Sequence, residues 1–296
     1  MAFLNDNMRG ALLMTGSMTA FTVNDAFMKA LSDELPLFQS IFLRSIGVLI
    51  CLTFIGLAVR QLNFRQSARD WKFIGLRSIF EVGGALFFLS ALFNMPIANV
   101  SAILQALPLT VSLAAAVFLG AEMGWRRLSA ILIGLVGVLL IVKPGGEGFN
   151  TYSLSALAAV GCVTVRDLLV RKISSDVPSM LVAWFTAFAV MTGSGLVSIT
   201  ETWQPLSGLG QMQLTGAILT IIGGYIFSVT AMRHGDIAFV APFRYTSLLV
   251  AVALGFFVFA EVPDTLTVIG AMIVVATGLF TLYRETALKR RHQNGA

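Results

Sequence analysis

The stretch GLRSIFEVGGALFFL, residues 75–89, places Arg77 and Glu81 four residues apart in an otherwise apolar run. In a helix that spacing puts both side chains on one face, where they can form an intrahelical ion pair. Arginine also offers a planar fork of N–H donors that suits a carboxylate, a phosphate or a heterocycle oxygen. Five more charges fall in comparably apolar runs: Asp25, Arg44, Arg166, Asp167 and Arg244. Four arginines against three carboxylates sum to +1. Asn24, Gln105 and Tyr245, which follows Arg244, add hydrogen-bonding groups to this set.

The elements that hold these residues are membrane helices. The chain of 296 residues is 57% hydrophobic and 12% charged, with a mean hydropathy of +0.85, well outside the ordinary soluble range. Its apolar runs have the length an α-helix needs to cross about 30 Å of hydrocarbon. They do not alternate as barrel strands would. Ten spans are predicted, at 10–31, 36–59, 71–93, 97–119, 126–142, 151–173, 179–200, 211–232, 237–259 and 264–283. The first reads as a membrane helix rather than a secretory signal. Little chain lies outside the spans, which leaves no room for a soluble catalytic domain.

Charge placement orients the chain. With the N-terminus inside, Arg9, Arg60, Arg65, Arg69, Lys72, Arg126, Arg127, Arg171, Lys172, Arg233, Arg284, Lys289, Arg290 and Arg291 lie on the cytoplasmic side, and only Lys29 and Lys143 lie opposite. The positive-inside rule then places both termini in the cytoplasm. The net charge of +5 is spent in these short loops, so nucleic acid is not an expected partner. Cys51 and Cys162 both fall in spans, and neither a disulfide, a metal site nor a cofactor is expected.

The two halves match weakly. ALLMTGSMT (11–19) pairs with ALAAVGCVT (156–164), and FLGAE (118–122) with FVFAE (257–261), in the same order. This divides the chain into a first repeat, 1–145, holding spans one to five, and a second, 146–296, holding spans six to ten and a short basic tail. Five helices per repeat, an odd number, make the repeats opposite in orientation, an architecture of alternating-access transporters. Only Pro108 and Pro242 lie inside spans, in the equivalent fourth and ninth. Each is expected to break its helix and free a backbone carbonyl, for a cavity or for packing.

The stretch LRSIFEVGGALFFLSALFNMPIANVSAILQALPLTVSLAAAVFLGAEMGWRRLSAILIGLVGVLLIVKPG, echoed by GDIAFVAPFRYTSLLVAVALGFFVFAEVPDTLTVIGAMIVVATGLF, resembles the EamA-type, ten-helix branch of the drug/metabolite transporter (DMT) superfamily. The resemblance implies an all-α membrane protein of ten helices in two inverted five-helix repeats, and secondary transport without ATP hydrolysis. It also implies a central cavity, formed mainly by spans one, three, four, six, eight and nine. The opening RGALLMTGSMTAFTVNDAFMKAL is similar to bacterial uptake carriers for riboflavin or S-adenosylmethionine. Exporters of amino acids belong to the same branch, and both directions stay open.

At about 1.5 Å per residue, Glu81 lies about 15 Å in from Trp71, near the midplane. Arg77 lies one turn toward the cytoplasm, at a depth shared by Arg166, Asp167 and Arg244. Charges at helix centres cost about 2.5–3.5 kcal/mol each on insertion scales, so all seven should face the interior. Arg77, Glu81, Arg244, Asn24, Gln105 and Tyr245 are the substrate-binding candidates; the competing reading is a set of fixed ion pairs and interhelical hydrogen bonds. Asp25, Arg44, Arg166 and Asp167 are candidates for a gate or for coupling, with Arg166 and Asp167 also readable as interfacial. Asp25 or Glu81 would carry a coupling proton if burial favours the neutral acid. Phe87, Phe88 and Phe243 are candidate stacking surfaces.

An intramembrane enzyme is disfavoured, because His234 and His292 both lie outside the spans and no HExxH or GKS/T motif occurs. A channel is disfavoured by the mixed sign of the midspan charges. The expectation is an inner-membrane secondary transporter for a small polar organic metabolite, of the vitamin or nucleoside class, with possible proton or ion coupling. Composition and spacing leave the oligomeric state open.

Overall fold

The computed structural model describes residues 6–120, 123–145, 149–231 and 237–294, with side chains given to 284 except at 237 and 238. Glu122, Arg233 and His234, used in the sequence reading, lie outside the described residues. Nine helices among the described residues are long and apolar enough to cross a membrane. The tenth, α1 (Asp6–Leu31), carries Asp6, Arg9, Asp25 and Lys29 and is correspondingly less apolar. After it come α2 (Leu37–Ala58) and α3 (Ala68–Asn94). Then follow α4 (Ile97–Leu104) and α5 (Leu107–Leu119), which together form the fourth span, and α6 (Trp125–Val142). The second half holds α7 (Tyr152–Val170), α8 (Ser179–Ser198) and α9 (Gly208–Ala231). The ninth span is α10 (Ile237–Val240), a 3₁₀ turn (Ala241–Tyr245) and α11 (Thr246–Phe259), and α12 (Thr265–Asn294) closes the chain.

Both prolines sit where their helices break. Pro108 follows the Gln105–Ala106 interruption between α4 and α5, and Pro242 lies in the 3₁₀ turn before α11. Lacking an N–H, a proline cannot close the i→i−4 bond, and its ring crowds the preceding turn.

The helices group into two compact units that cut across the sequence halves. The first unit comprises residues 1–23, 95–153 and 223–296, and the second comprises 24–94 and 154–222. In the first, α6 and α12 touch backbone to backbone. A Cβ on Gly137 would lie 2.9 Å from the Gly270 carbonyl oxygen, and one on Gly270 would lie 2.5 Å from that of Gly137. Without a hydrophobic drive between helices in lipid, such small-residue crossings let dispersion do the packing. In the second unit, α8 meets α2 where Gly195 faces Phe42, and meets α3 where Gly193 faces Val82.

Acidic residues in the loops cap helices from the opposite sequence half. In the second unit the Glu201 carboxylate accepts the N–H of Phe38 at 3.1 Å and of Gln39 at 2.9 Å, at the start of α2. Gln39 and Gln204 bond reciprocally, side chain to backbone, at 2.8 and 2.9 Å. Glu34 returns the arrangement by accepting the N–H and hydroxyl of Ser207 at the start of α9. In the first unit Glu261 accepts the Ile97 N–H at 3.0 Å, opening α4. These carboxylates take the orphan donors and the positive end of each helix dipole.

Asp264 caps α12 through the Thr267 N–H at 3.1 Å and meets Lys143, at the end of α6, at 2.6 Å. Burial alone would push the Asp264 carboxyl up. The bonds from Lys143 and from the backbone and hydroxyl of Thr267, with the Lys143 charge, outweigh it and hold the carboxyl down to about 2.

Candidate functional site

In the second unit, α3 starts on a cap in which the Ser67 hydroxyl donates to Asp70 at 2.6 Å and accepts the Asp70 N–H at 3.0 Å. Asp70 also accepts the Ser174 N–H at 3.0 Å, tying α3 to the α7–α8 connection. One turn on, Ile74 joins Val177 and Leu181 in a buried cluster, and Trp71 packs edge-on against Phe185. Beyond the charges, Gly83 and Gly84 let α7 approach. A Cβ at these positions would lie 3.2 Å from the Cys162 sulfur and 3.3 Å from Val163. The EVGG sequence thus brings Glu81 within reach of α7.

What it meets there is Arg166. The Arg166 Nη1 donates to both Glu81 oxygens, at 3.0 and 3.1 Å. Glu81 also pairs with Arg77 at 3.2 Å, the i,i+4 bridge expected from the sequence. Arg166 donates through Nε and Nη2 to Asp167, at 2.9 and 2.8 Å. Arg77 Nη1 donates to the Thr186 hydroxyl at 2.5 Å, and that hydroxyl donates to the Val182 carbonyl at 2.7 Å. The result is a chain of alternating sign, Arg77–Glu81–Arg166–Asp167, with zero net charge. Arg77, Glu81 and Arg166 are 14, 18 and 24% exposed and Asp167 is 40% exposed. Each charge is therefore compensated, yet none is sealed from a ligand.

The same unit holds the Asn24, Asp25 and Arg44 set. The Asn24 amide donates to Asp25 at 2.9 Å, and its own oxygen, buried, has no hydrogen-bond partner among the described residues. The buried Arg44 guanidinium acts electrostatically on the Asp25 carboxylate.

The remaining candidates belong to the first unit, at its helix breaks. Gln105, in the α4–α5 interruption, donates to the Ser247 hydroxyl at 2.7 Å, and Ser247 donates to the Arg244 carbonyl at 3.0 Å. The Tyr245 ring is buried, with its hydroxyl packed where a Cβ on Gly278 would be and without a partner among the described residues. The Arg244 side chain is exposed. Phe243, half-buried, packs against the buried cluster of Met14, Ala231 and Val240. Thr186 and Ser247 were not foreseen. Their only sequence signal is a hydroxyl in an apolar span, and such hydroxyls mostly bond their own helix.

Among the described residues no group of His, Cys, Asp and Glu has the makings of a metal site.

Residues 8–143 match the EamA-like transporter family. The chain is 28% identical to a riboflavin transporter of Vibrio cholerae, over 99% of both proteins. It is 26% identical to an S-adenosylmethionine uptake transporter of Rickettsia conorii, over 98% of this chain and 100% of that one. It is 29% identical to the pseudopaline exporter CntI of Pseudomonas aeruginosa, over 90% and 93%. A solved crystal structure at 21% identity superposes with a TM-score of 0.64 over 95% of this chain and 98% of the other, a likeness of fold. The charged helices, the paired breaks and these likenesses converge: residues 8–143 form an EamA-family domain of the DMT superfamily, and the protein is a multi-pass membrane transporter.

Proposed function

We propose that the protein is a secondary transporter of a bacterial inner membrane, with both termini cytoplasmic, that takes up a small polar organic metabolite of the vitamin or nucleoside class by alternating access of its two inverted repeats. The observation that carries this reading is the partly exposed Arg77–Glu81–Arg166–Asp167 chain within membrane-spanning helices. Ionisable groups at such positions mark substrate or ion pathways. Arg77, Glu81 and Arg166 are the residues assigned to substrate contact. Asp25, beside Asn24 and Arg44, is the group assigned to proton coupling.

The test is counterflow of radiolabelled riboflavin, S-adenosylmethionine and amino acids in proteoliposomes of the wild type, Glu81→Gln and Arg77→Ala. Saturable counterflow of one solute, lost in both variants while they stay folded, supports the reading. Undiminished counterflow in both would make the charges a structural lock and overturn it.

Export is the second reading, favoured by the 29% identity to a pseudopaline exporter. Energised inverted vesicles that accumulate the solute would establish export; accumulation in right-side-out vesicles would establish uptake.

A further inference from the structure

The three contacts of the charge chain differ in kind. Arg77–Glu81 lies within α3, one turn apart, and Arg166–Asp167 joins neighbours on α7. Only Glu81–Arg166 bridges two helices. The first two persist whatever α3 and α7 do. The third closes only because Gly83 and Gly84 let those helices approach at Cys162 and Val163.

A ligand entering between the helices therefore replaces the Glu81–Arg166 contact and must satisfy both ends. A simple anion would take Arg166 and leave Glu81 with an intrahelical partner alone. A simple cation would do the reverse. A neutral ring system offers hydrogen bonds but no counter-charge to either. Parting this partly buried pair leaves Glu81 with Arg77 alone and Arg166 with Asp167 alone, and each partner lost opposes binding. A ligand that carries both signs close together gives each charge a second partner again.

We infer that the Glu81–Arg166 contact is the docking point for a zwitterionic headgroup of the α-amino-acid type. The ligand carboxylate replaces Glu81 on the Arg166 fork, and the ligand ammonium replaces Arg166 on Glu81. Arg77 and Asp167 hold the two receiving side chains in place from behind. This inference rests on the proposed role of the chain of charges in substrate binding and narrows it: a solute with an amino-acid headgroup, such as S-adenosylmethionine, fits, and riboflavin does not.

Cys162 gives a built-in reporter, one turn from Arg166 on α7 and facing Gly83 at the crossing that must open. The experiment is N-ethylmaleimide alkylation of Cys162 in full-length Cys51→Ser protein in nanodiscs. Probes are S-adenosylmethionine, the standard L-amino acids, their methyl esters, their desamino acids, and riboflavin. At least one zwitterion should change the alkylation rate about fivefold or more, while its ester and desamino partners at equal concentration do not. Glu81→Gln should abolish the response, and Glu81→Asp, which keeps the charge, should retain part of it. An ester, a desamino acid or riboflavin acting as strongly as any zwitterion would overturn the inference. So would the absence of a response to every zwitterion. Counterflow separates the two claims: riboflavin transport lost in Glu81→Gln would sink the zwitterion and leave the site standing, whereas transport indifferent to Glu81→Gln would sink both.

Discussion

Glu81 lies between two guanidiniums, so its replacement by glutamine is the sharpest probe of the charge chain. Glutamine keeps the shape and one acceptor oxygen but removes the negative charge, taking the chain from neutral to +1. Removing one partner of a buried ion pair costs about 3–5 kcal/mol, mostly from the charge left behind. Here the side chains are 14–24% exposed, and solvent screening reduces that to about 2 kcal/mol. Arg166→Gln alone should cost a similar amount by leaving Glu81 with Arg77 alone and taking the arginine from Asp167. The double variant restores neutrality, so the two losses should not add, and the coupling energy should be about 2 kcal/mol. Denaturant titration in mixed micelles can be followed by tryptophan emission, because Trp71 and Trp184 lie in the same unit, each against Phe185 or Phe188. A coupling below about 0.5 kcal/mol, the level of an exposed surface pair, would refute the claim that Glu81 and Arg166 hold each other.

Three further outcomes follow from the geometry. Asp264 titrates low in the folded state, so its contribution is fully present above the unfolded carboxylate range near pH 4 and is lost as pH falls through about 2; the melting-temperature difference between wild type and Lys143→Met should shrink across that window, as thermal scans would record. Gly278→Ala would drive a methyl into the Tyr245 hydroxyl and should cost about 1–3 kcal/mol, whereas Tyr245→Phe removes a buried hydroxyl that has no partner among the described residues, should cost little alone and should recover part of the loss in the double variant. Gln105→Leu deletes the bond to Ser247 and should lower stability by about 0.6 kcal/mol, the average for interhelical hydrogen bonds in membranes, and by no more than about 1.7 kcal/mol, with Ser247→Ala costing no more and the pair together less than their sum.

Hydropathy made most of the elements readable. Span length and apolarity located the spans, because in hydrocarbon the backbone must be satisfied within helices or a closed barrel. Pro108 and Pro242 marked the breaks, since their chemistry is local. The i,i+4 pair of Arg77 with Glu81 was legible for the same reason. What pattern alone does not contain is which helices are neighbours. Arg166 matched Arg77 in depth, yet it meets Glu81, one turn deeper and 85 residues away in sequence, and depth gives no azimuth. Arg166 therefore read equally well as an interfacial residue. The grouping of helices into two units drawn from both halves was equally hidden, because it depends on glycine crossings such as Gly137 with Gly270 that become informative only once paired.

The exchange of acidic caps between sequence halves bears on how the chain is made. The N-terminal donors of α2 are satisfied by Glu201, 163 residues further along, and those of α4 by Glu261, 164 residues along. Each of these helices therefore emerges from the ribosome and enters the bilayer long before its cap has been synthesised. Until then its open N–H groups are left to water and lipid headgroups at the membrane surface. Completion of α8 and α11 brings each missing carboxylate to the matching helix end. Assembly in each unit is thus finished from the second half of the chain, and an arrest in translation before residue 201 leaves a set of inserted helices whose ends are still unlatched.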